Sequence, residues 1–241
     1  MSQNTQSTID TDVYALGVDS SYDEITTLAY NYRQTHVYPY LQEKGFLIAR
    51  CQGKLARRPY VVLALKQHNN IKYITGNGHG SADAFTGEQF APIFWLENYH
   101  PSEVTGKIIH LLSCKTAIEL GADMVSNGCL AFFGYNEDFV IEPATSDVFF
   151  ECDSEIDRAI ADGLNMADVY QRVKTLYEKR IKEYKDKWSE SLLGKDILQT
   201  KILKNTFSLL QINLNHLCCP FIDSRWGDTN ISINSEYNQE I

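Results

Sequence analysis

Two short apolar runs in the middle of the chain each end in a turn that carries a reactive side chain. The first is Ile71 to Thr75, which leads into a glycine-rich turn around His79. The second is Lys107 to Leu112, which leads into Cys114. Short apolar runs bounded by turn signals are typical of buried strands, and ligands bind beyond the carboxyl ends of parallel strands. We therefore expect an imidazole and a thiol to meet at one edge of a parallel sheet.

The order of the predicted elements indicates the fold class. Between residues 13 and 134, apolar runs typical of strands alternate with segments of helical periodicity. This alternation predicts an α/β fold with a mostly parallel sheet and helices on both faces. Residues 1–11 are expected to form a flexible polar tail, and residues 12–241 a single domain with a helical C-terminal part. Residues 81–106 are expected to be a long connection without regular structure that crosses the mouth of the site.

Capping residues and periodicity predict further local features. A helix is expected to start at Asp23, with Ser21 or Asp23 as its cap. The helix behind Cys114 is expected to start near Thr116 and to bury one face, formed by Ile118, Ala122 and Val125. Near the C-terminus, residues 231–233 form an apolar alternation that predicts a short edge strand.

The composition excludes some classes of protein. The formal net charge is −9, so the chain has no basic stripe to neutralise phosphates, and we expect no direct nucleic-acid partner. No apolar run reaches the roughly 18 residues that a membrane span needs, so we expect no membrane contact. The six cysteines lack the Cys-x-x-Cys spacing of zinc sites. Because the N-terminal stretch also lacks a secretory signal, we expect a cytoplasmic protein with free thiols and no metal.

A thiol and an imidazole are the groups that cysteine-dependent acyl transfer needs. We expect Cys114 to attack a carbonyl carbon and His79 to move the protons. The helix expected behind Cys114 would point the positive end of its dipole at the sulfur and so lower the pKa of the thiol. The backbone N–H groups of Gly80 and Cys114 are expected to hold the oxygen that becomes negative during the reaction.

The two turns resemble the motifs of the caspase-like cysteine peptidases. Gly78-His79-Gly80 is followed by Leu111 to Ala117 (LLSCKTA), which is similar to the Leu-Ser-x-Cys-x-Thr-Ala run of the CHAT branch. The resemblance covers roughly residues 70–232. It implies a three-layer caspase-like sandwich and an endopeptidase that uses His79 and Cys114 without a metal or organic cofactor. It also implies a protein or peptide substrate, release from an inactive state by a regulatory partner or signal, and, for bacterial members, a role in antiviral defence.

The same resemblance implies where the side chain before the cut would bind. In several relatives the position two residues before the cysteine lines that pocket, and here it is Leu112. Asp83, Glu137 and Asp138 are candidates for a carboxylate in the pocket. Because the family contains many enzymes that cut after basic residues, we expect a weak preference for a basic residue before the cut.

Less specific interpretations accompany these predictions. The other five cysteines and the other histidines are expected to be structural or surface residues, and His110 is expected to be a packed, hydrogen-bonded strand residue. The glycine-rich turn at residues 76–80 could instead cradle a phosphate, but it lacks the Lys-Ser/Thr pair of a P-loop. As an alternative to an enzyme, the chain could be a catalytically silent relative that serves as a signalling or scaffold domain.

Overall fold

Residues 14–68 and 70–235, the part of the chain that the computed structural model describes, fold into strands and helices that alternate in the first third of the chain. The expected tail at residues 1–11 lies outside the described residues. In chain order the elements are β1 (Tyr14–Asp19), α1 (Glu24–Tyr32), α2 (Tyr38–Glu43), β2 (Leu47–Gln52), α3 (Arg58–Gln67), β3 (Ile71–Asn77), β4 (His79–Gly80), β5 (Ala84–Thr86), β6 (Pro92–Trp95), β7 (Ile108–Leu112), α4 (Leu120–Ser126), β8 (Ala131–Tyr135), α5 (Ser146–Ala161), α6 (Met166–Ser191), α7 (Ile197–His216) and β9 (Leu217–Cys218).

The central sheet has six strands in the order β2-β1-β3-β7-β8-β9. The first five strands are parallel to their neighbours, and β9 pairs antiparallel with β8. The prediction of an α/β fold with a mostly parallel sheet is therefore confirmed.

Each face of this sheet carries its own hydrophobic core. Neighbouring residues of a strand point to opposite faces, so Tyr73 and Ile74 of β3 belong to different cores. On the Tyr73 side the sheet packs against α1, α2, α5, α6 and α7. On the Ile74 side it packs against α3, α4, β5 and β6. Helices thus cover both faces, as predicted, and the arrangement is compatible with a three-layer sandwich.

Asp23 caps α1, as predicted. Its Oδ1 accepts the Thr26 N–H at 2.9 Å, and Thr26 Oγ1 accepts the Asp23 N–H at 3.1 Å. The two side chains therefore satisfy backbone donors near the start of the helix. Beyond α1 the chain continues through one π-helical turn, Arg33–Val37, into α2. Pro39 lies in the first turn of α2, directly after the π-helical turn.

Residues 81–106 contain more regular structure than the sequence analysis predicted. β4, β5 and β6 pair antiparallel into a separate three-stranded sheet. Phe85, Ile93 and Phe94 are fully buried in the core on the Ile74 side of the central sheet. The expectation of a connection without regular structure is therefore wrong, because these apolar side chains anchor a hairpin.

The segment before α4 is a series of turns. Because α4 begins at Leu120, the predicted start near Thr116 is wrong. The Ala117 N–H donates to the Tyr135 carbonyl of β8 (3.0 Å) instead of continuing a helix. The buried face is formed by Leu120, Gly121 and Met124. All three residues of the predicted face are exposed or half-buried, namely Ile118, Ala122 and Val125.

The C-terminal part is helical, as predicted, and α6 packs along α7. Residues 231–233 belong to no strand, so the predicted edge strand is wrong. The edge of the sheet is formed instead by β9, which directly follows α7. Among the described helices, none is long and apolar enough to cross a membrane.

Candidate active site

The pairing of β3 with β7 places His79 and Cys114 beside each other. The two strands are parallel, and the last residues that pair are Asn77 and Leu112. The Gly78 N–H donates to the Leu112 carbonyl at 3.2 Å and extends this contact beyond the strands. His79 and Cys114 each follow the last paired residue by two positions. Both residues therefore leave the same carboxyl edge of the sheet.

A cavity of about 230 Å³ at this edge is lined by both His79 and Cys114. The rest of its lining is mostly apolar, with side chains from α1, from the end of β7, from the loop after β8 and from α5. They are Ile25, Ala29, Leu112, Phe139 and Phe150. The imidazole and the thiol thus border one space, and that space can receive part of a ligand.

The His79 ring is held by two neighbours. One face of the ring stacks on the ring of Phe90, with 4.7 Å between the centroids. Its Nε2 forms a hydrogen bond with the Asp23 carboxylate. A carboxylate only accepts hydrogen bonds, so Nε2 carries a proton, and in the neutral form of the ring Nδ1 keeps its lone pair. Nδ1 makes no hydrogen bond within the described part of the chain and is therefore available to take a proton.

Asp23 has a second role that the sequence analysis did not identify. Burial alone would raise the pKa of Asp23, but the hydrogen bonds with His79 and with the Thr26 N–H lower it below the usual value. The carboxylate is therefore ionised when it contacts the ring. A sequence signal for this role exists, because Asp23 follows β1, which ends at the same edge of the sheet as β3.

Cys114 is followed by a strained residue. Lys115 has a φ of 61°, in the left-handed region that residues with a side chain rarely adopt. Such conformations cost on the order of 1–3 kcal/mol and concentrate at functional sites. The Lys115 N–H donates to the Glu137 carbonyl (3.1 Å), and the Lys115 ammonium pairs with Asp138 (3.1 Å). These contacts hold a sharp turn after β7, comparable to the turns that expose a catalytic nucleophile after a strand.

Gly80 packs directly against this turn. A Cβ atom at position 80 would lie 2.4 Å from the Cys114 carbonyl oxygen and 2.7 Å from Cγ2 of Thr116. Only glycine fits at this distance. The two N–H groups that we expect to bind an oxyanion, those of Gly80 and Cys114, therefore belong to turns in direct contact.

The thiol of Cys114 has a raised pKa in the free protein. Burial is the main cause, the Phe139 N–H partly opposes it, and the Asp138 carboxylate adds to it. The expectation of a lowered pKa is wrong, because α4 begins only at Leu120 and the effect of a helix dipole fades within one turn. No hydrogen bond joins the His79 ring to the sulfur among the described side chains. In this arrangement the thiol is therefore protonated near neutral pH.

The remaining cysteines are structural, as expected. All five are buried, whereas Cys114 is half-buried. Burial raises the pKa of each of them, namely Cys51, Cys129, Cys152, Cys218 and Cys219. Cys114 is therefore the most accessible thiol in the described part of the chain.

The residues predicted for the substrate pocket do not come together. Leu112 lines the cavity, but Asp83, Glu137 and Asp138 do not. All three acidic residues are exposed, and Asp138 pairs with Lys115. Their loops turn these side chains outward, so the lining of the cavity contains no carboxylate.

A fully buried ion network supports β3. Arg33 donates to the carboxylates of Asp19 (2.8 Å) and Asp157 (3.2 Å). It also donates to the Thr75 hydroxyl of β3 (2.7 Å). Asp19 in turn accepts the N–H of Asn77, the last residue of β3 (3.2 Å). This network was not predicted from the sequence, because Asp19, Arg33 and Asp157 lie far apart in the chain.

His110 of β7 extends the network and is a packed, hydrogen-bonded strand residue, as predicted. Burial alone would lower the pKa of His110, but Asp153 (3.2 Å) and Asp157 (3.3 Å) raise it to about 9. The ligand atoms of these three residues lie within 4.8 Å of one another. A protonated imidazole has no lone pair for a metal ion, and Arg33 already pairs with Asp157. We therefore interpret the cluster as structural.

The site combines a half-buried thiol, an oriented imidazole, two backbone N–H groups in touching turns and a small apolar cavity. These groups suit nucleophilic acyl transfer. Comparison of the chain with protein-family models and with curated proteins finds no match.

Proposed function

We propose that the chain is a cysteine endopeptidase of the caspase-like type that acts on a protein or peptide. Cys114 is the nucleophile, and His79 is the general acid and base. The observation that carries this proposal is the common cavity of the two side chains at the ends of paired parallel strands. The thiol and the imidazole supply the chemistry of the reaction, so the proposed mechanism needs no metal or organic cofactor.

In the first half of the reaction, Nδ1 of His79 takes the proton of the Cys114 thiol, and the sulfur attacks the carbonyl carbon of the peptide bond. The carbonyl oxygen becomes negative in the tetrahedral intermediate, where the N–H groups of Gly80 and Cys114 stabilise it. The protonated His79 then donates its proton to the leaving nitrogen as the carbon–nitrogen bond breaks. The products of this half are a free amine and a thioester on Cys114.

In the second half, His79 removes a proton from a water molecule, and the water oxygen attacks the thioester carbon. The carbon–sulfur bond breaks, the acid product leaves, and the proton returns to the Cys114 sulfur. The ionised Asp23 stabilises the positive charge that His79 carries in each half of the reaction.

A second candidate function is a catalytically silent signalling or scaffold domain. The raised pKa of Cys114 favours it, since a thiol that stays protonated is a poor nucleophile. The same observation also fits a latent enzyme that a partner or signal releases by bringing His79 onto the sulfur.

Peptide cleavage separates the two candidates. The wild-type protein and its Cys114→Ala variant are incubated with a mixed peptide library, and new termini are identified by mass spectrometry. The endopeptidase proposal expects new termini with the wild type alone. An unchanged library favours the silent domain, and equal cleavage by both proteins contradicts the role of Cys114.

Alkylation of the free protein tests the state of the thiol. We expect iodoacetamide to modify Cys114 before the five buried cysteines because it is the most accessible thiol described. The raised pKa makes this labelling slow near neutral pH, and the rate should rise steeply only beyond the ordinary thiol value of about 8.5. Peptide mapping over a pH series gives the profile. Fast, selective labelling near neutral pH would contradict the raised pKa.

Asp23 offers a test of how His79 is positioned. We expect Asp23→Asn to lower kcat/KM by roughly 10- to 100-fold, less than for a fully buried orienting aspartate, because Asp23 is partly exposed. Thermal stability should stay unchanged, since Asn caps a helix as well as Asp does. Asp23→Ala should lose the same activity and, in addition, about 1 kcal/mol of stability.

Asp196 provides the matched control for Asp23. It caps α7 in the same way, because its Oδ1 accepts the Gln199 N–H at 2.9 Å. We expect Asp196→Asn and Asp196→Ala to leave kcat/KM unchanged. Wild-type activity in Asp23→Asn would show that Asp23 is only a helix cap.

A further inference from the structure

We propose that the cavity beside Cys114 binds the side chain that precedes the cut bond, and that it selects an apolar residue such as Leu, Met or Phe. This inference rests on the proposed peptidase function and names the substrate class for the same site. It replaces the preference for a basic residue that the sequence analysis expected.

The position of the cavity fits this role. Cys114 borders the cavity together with Leu112, which lies at the end of β7 two residues earlier. The substrate residue whose carbonyl carbon lies at the Cys114 sulfur carries its side chain only a few bonds from that carbon. That side chain can enter the adjoining cavity while the carbonyl oxygen faces the turns of Gly80 and Cys114.

The interior of the cavity is apolar. Phe150, Ala29 and Leu112 are 2%, 4% and 5% exposed, so they form walls that water hardly reaches. Ile25 and Phe139 are more exposed and lie towards the opening. The transfer of an apolar side chain from water to such walls is favourable and strengthens binding.

The polar side chains in the lining are already engaged within the protein. Thr26 Oγ1 bonds to Asp23 (3.0 Å), and Ser113 Oγ shares a hydrogen bond with Thr116 Oγ1 (2.9 Å). The Asn77 amide nitrogen donates to the carbonyls of Ser20 (3.2 Å) and Thr26 (3.1 Å).

Asn77 Oδ1 is the one buried side-chain oxygen of this lining without a hydrogen-bond partner among the described residues. It is a neutral amide oxygen, and a neutral acceptor does not offset the cost of burying an ammonium or guanidinium group.

The cavity lining contains no carboxylate to pair with a basic side chain. Asp23 lies outside the lining and already binds His79 and the Thr26 N–H. The exposed Asp83, Glu137 and Asp138 lie outside the lining. A Lys or Arg side chain in the cavity would therefore be an unpaired buried charge, which is strongly unfavourable.

The size of the cavity indicates which apolar side chains of the substrate it can hold. An apolar protein cavity of about 150 Å³ already admits benzene. A volume of about 230 Å³ therefore has room for a Leu, Met or Phe side chain. Gly or Ala in this position would leave most of the apolar wall uncovered.

A peptide library that varies only the residue before the cut tests the proposal directly. We expect kcat/KM for Leu, Met or Phe to exceed that for Ala by roughly 10- to 200-fold, the range for added methylene groups in a hydrophobic pocket. Peptides with Lys, Arg or Asp should be cleaved more slowly still. The Cys114→Ala variant provides the background.

Ile25→Asp tests whether this cavity is the pocket. Ile25 lies in the first turn of α1 and is 43% exposed, so an acidic residue should be tolerated there and suits the helix dipole. We expect the ratio of cleavage after Lys or Arg to cleavage after Leu to rise at least about tenfold. Asn31→Asp adds the same charge to an exposed site of α1 outside the cavity and should leave the ratio unchanged.

Each outcome has a distinct meaning. Cleavage after Leu, Met or Phe, with the shift in Ile25→Asp, supports the inference. A wild-type kcat/KM for cleavage after Lys or Arg that equals or exceeds the value for Leu, Met and Phe overturns the inference but leaves the peptidase proposal standing. Equal ratios in Ile25→Asp and Asn31→Asp overturn the assignment of the cavity. Absence of any Cys114-dependent cleavage overturns the proposed function, and the inference falls with it.

Discussion

Replacing Cys114 or His79 by alanine is expected to reduce kcat/KM for peptide cleavage by about 10⁴-fold or more, as losses of nucleophile or base do in other acyl-transfer enzymes. Cys114→Ala removes the only atom that attacks the carbonyl carbon. His79→Ala removes the acceptor of the thiol proton, and the raised pKa of Cys114 makes the reaction depend strongly on that acceptor. Both side chains are only half-buried, so the free energy of unfolding should change by less than about 1 kcal/mol.

Two matched variants control for the loss of any thiol or imidazole. Cys51→Ala removes a buried thiol, and His36→Ala removes an exposed imidazole that stacks on Tyr32. We expect both to keep kcat/KM within about twofold of the wild type. Cleavage that persists in Cys114→Ala, at wild-type level and in a homogeneous preparation, would refute the proposed nucleophile.

Replacing Arg33 by methionine is expected to destabilise the fold by about 3–5 kcal/mol, the usual cost of breaking a buried ion pair. The loss leaves the carboxylates of Asp19 and Asp157 buried without their shared cation. Burial alone would raise the pKa of Asp157, but Arg33 and then His110 hold it well below its usual value. This stabilisation is present above the ordinary pKa of a carboxyl group and is lost as the pH falls through the lowered one. Urea denaturation near neutral pH therefore shows the largest effect.

Arg172 is the matched control for Arg33. It also contacts two carboxylates, those of Glu155 and Asp162, but its side chain is 35% exposed. We expect Arg172→Met to cost no more than about 1 kcal/mol, because water screens the partly exposed guanidinium and the two carboxylates keep Arg158 and Lys44 as partners. Arg33→Lys should give an intermediate loss, since it keeps the charge but not the planar fork of donors. Equal losses for Arg33→Met and Arg172→Met would contradict the structural role of the buried network.

The central features of the fold and site could be predicted from local sequence patterns. The apolar runs before His79 and Cys114 are strands, and β3 and β7 pair in parallel as expected, although the antiparallel strands β4, β5 and β6 rather than a helix lie between them. Because equivalent ends of parallel strands share an edge, the proximity of the two reactive residues followed from the same pattern.

Other features depend on contacts between distant parts of the chain. The late start of α4 reflects the hydrogen bond from Ala117 to β8, which no capping pattern reveals. Arg33 and Asp157 are 124 residues apart in sequence, so their pairing has no local signature. The acidic residues expected in the pocket lie in loops, and a sequence does not show which way a loop side chain points.

A covalent label tests most directly whether Cys114 and His79 act as a pair. The reagent is a peptide ketone with Leu before the reactive carbonyl and an acyloxy leaving group, and adducts are located by intact mass and peptide mapping. We predict one adduct per chain, on Cys114, that forms at least about 100-fold more slowly in His79→Ala. Labelling on another cysteine, or an equal rate at Cys114 in the wild type and in His79→Ala, would contradict the proposed pair.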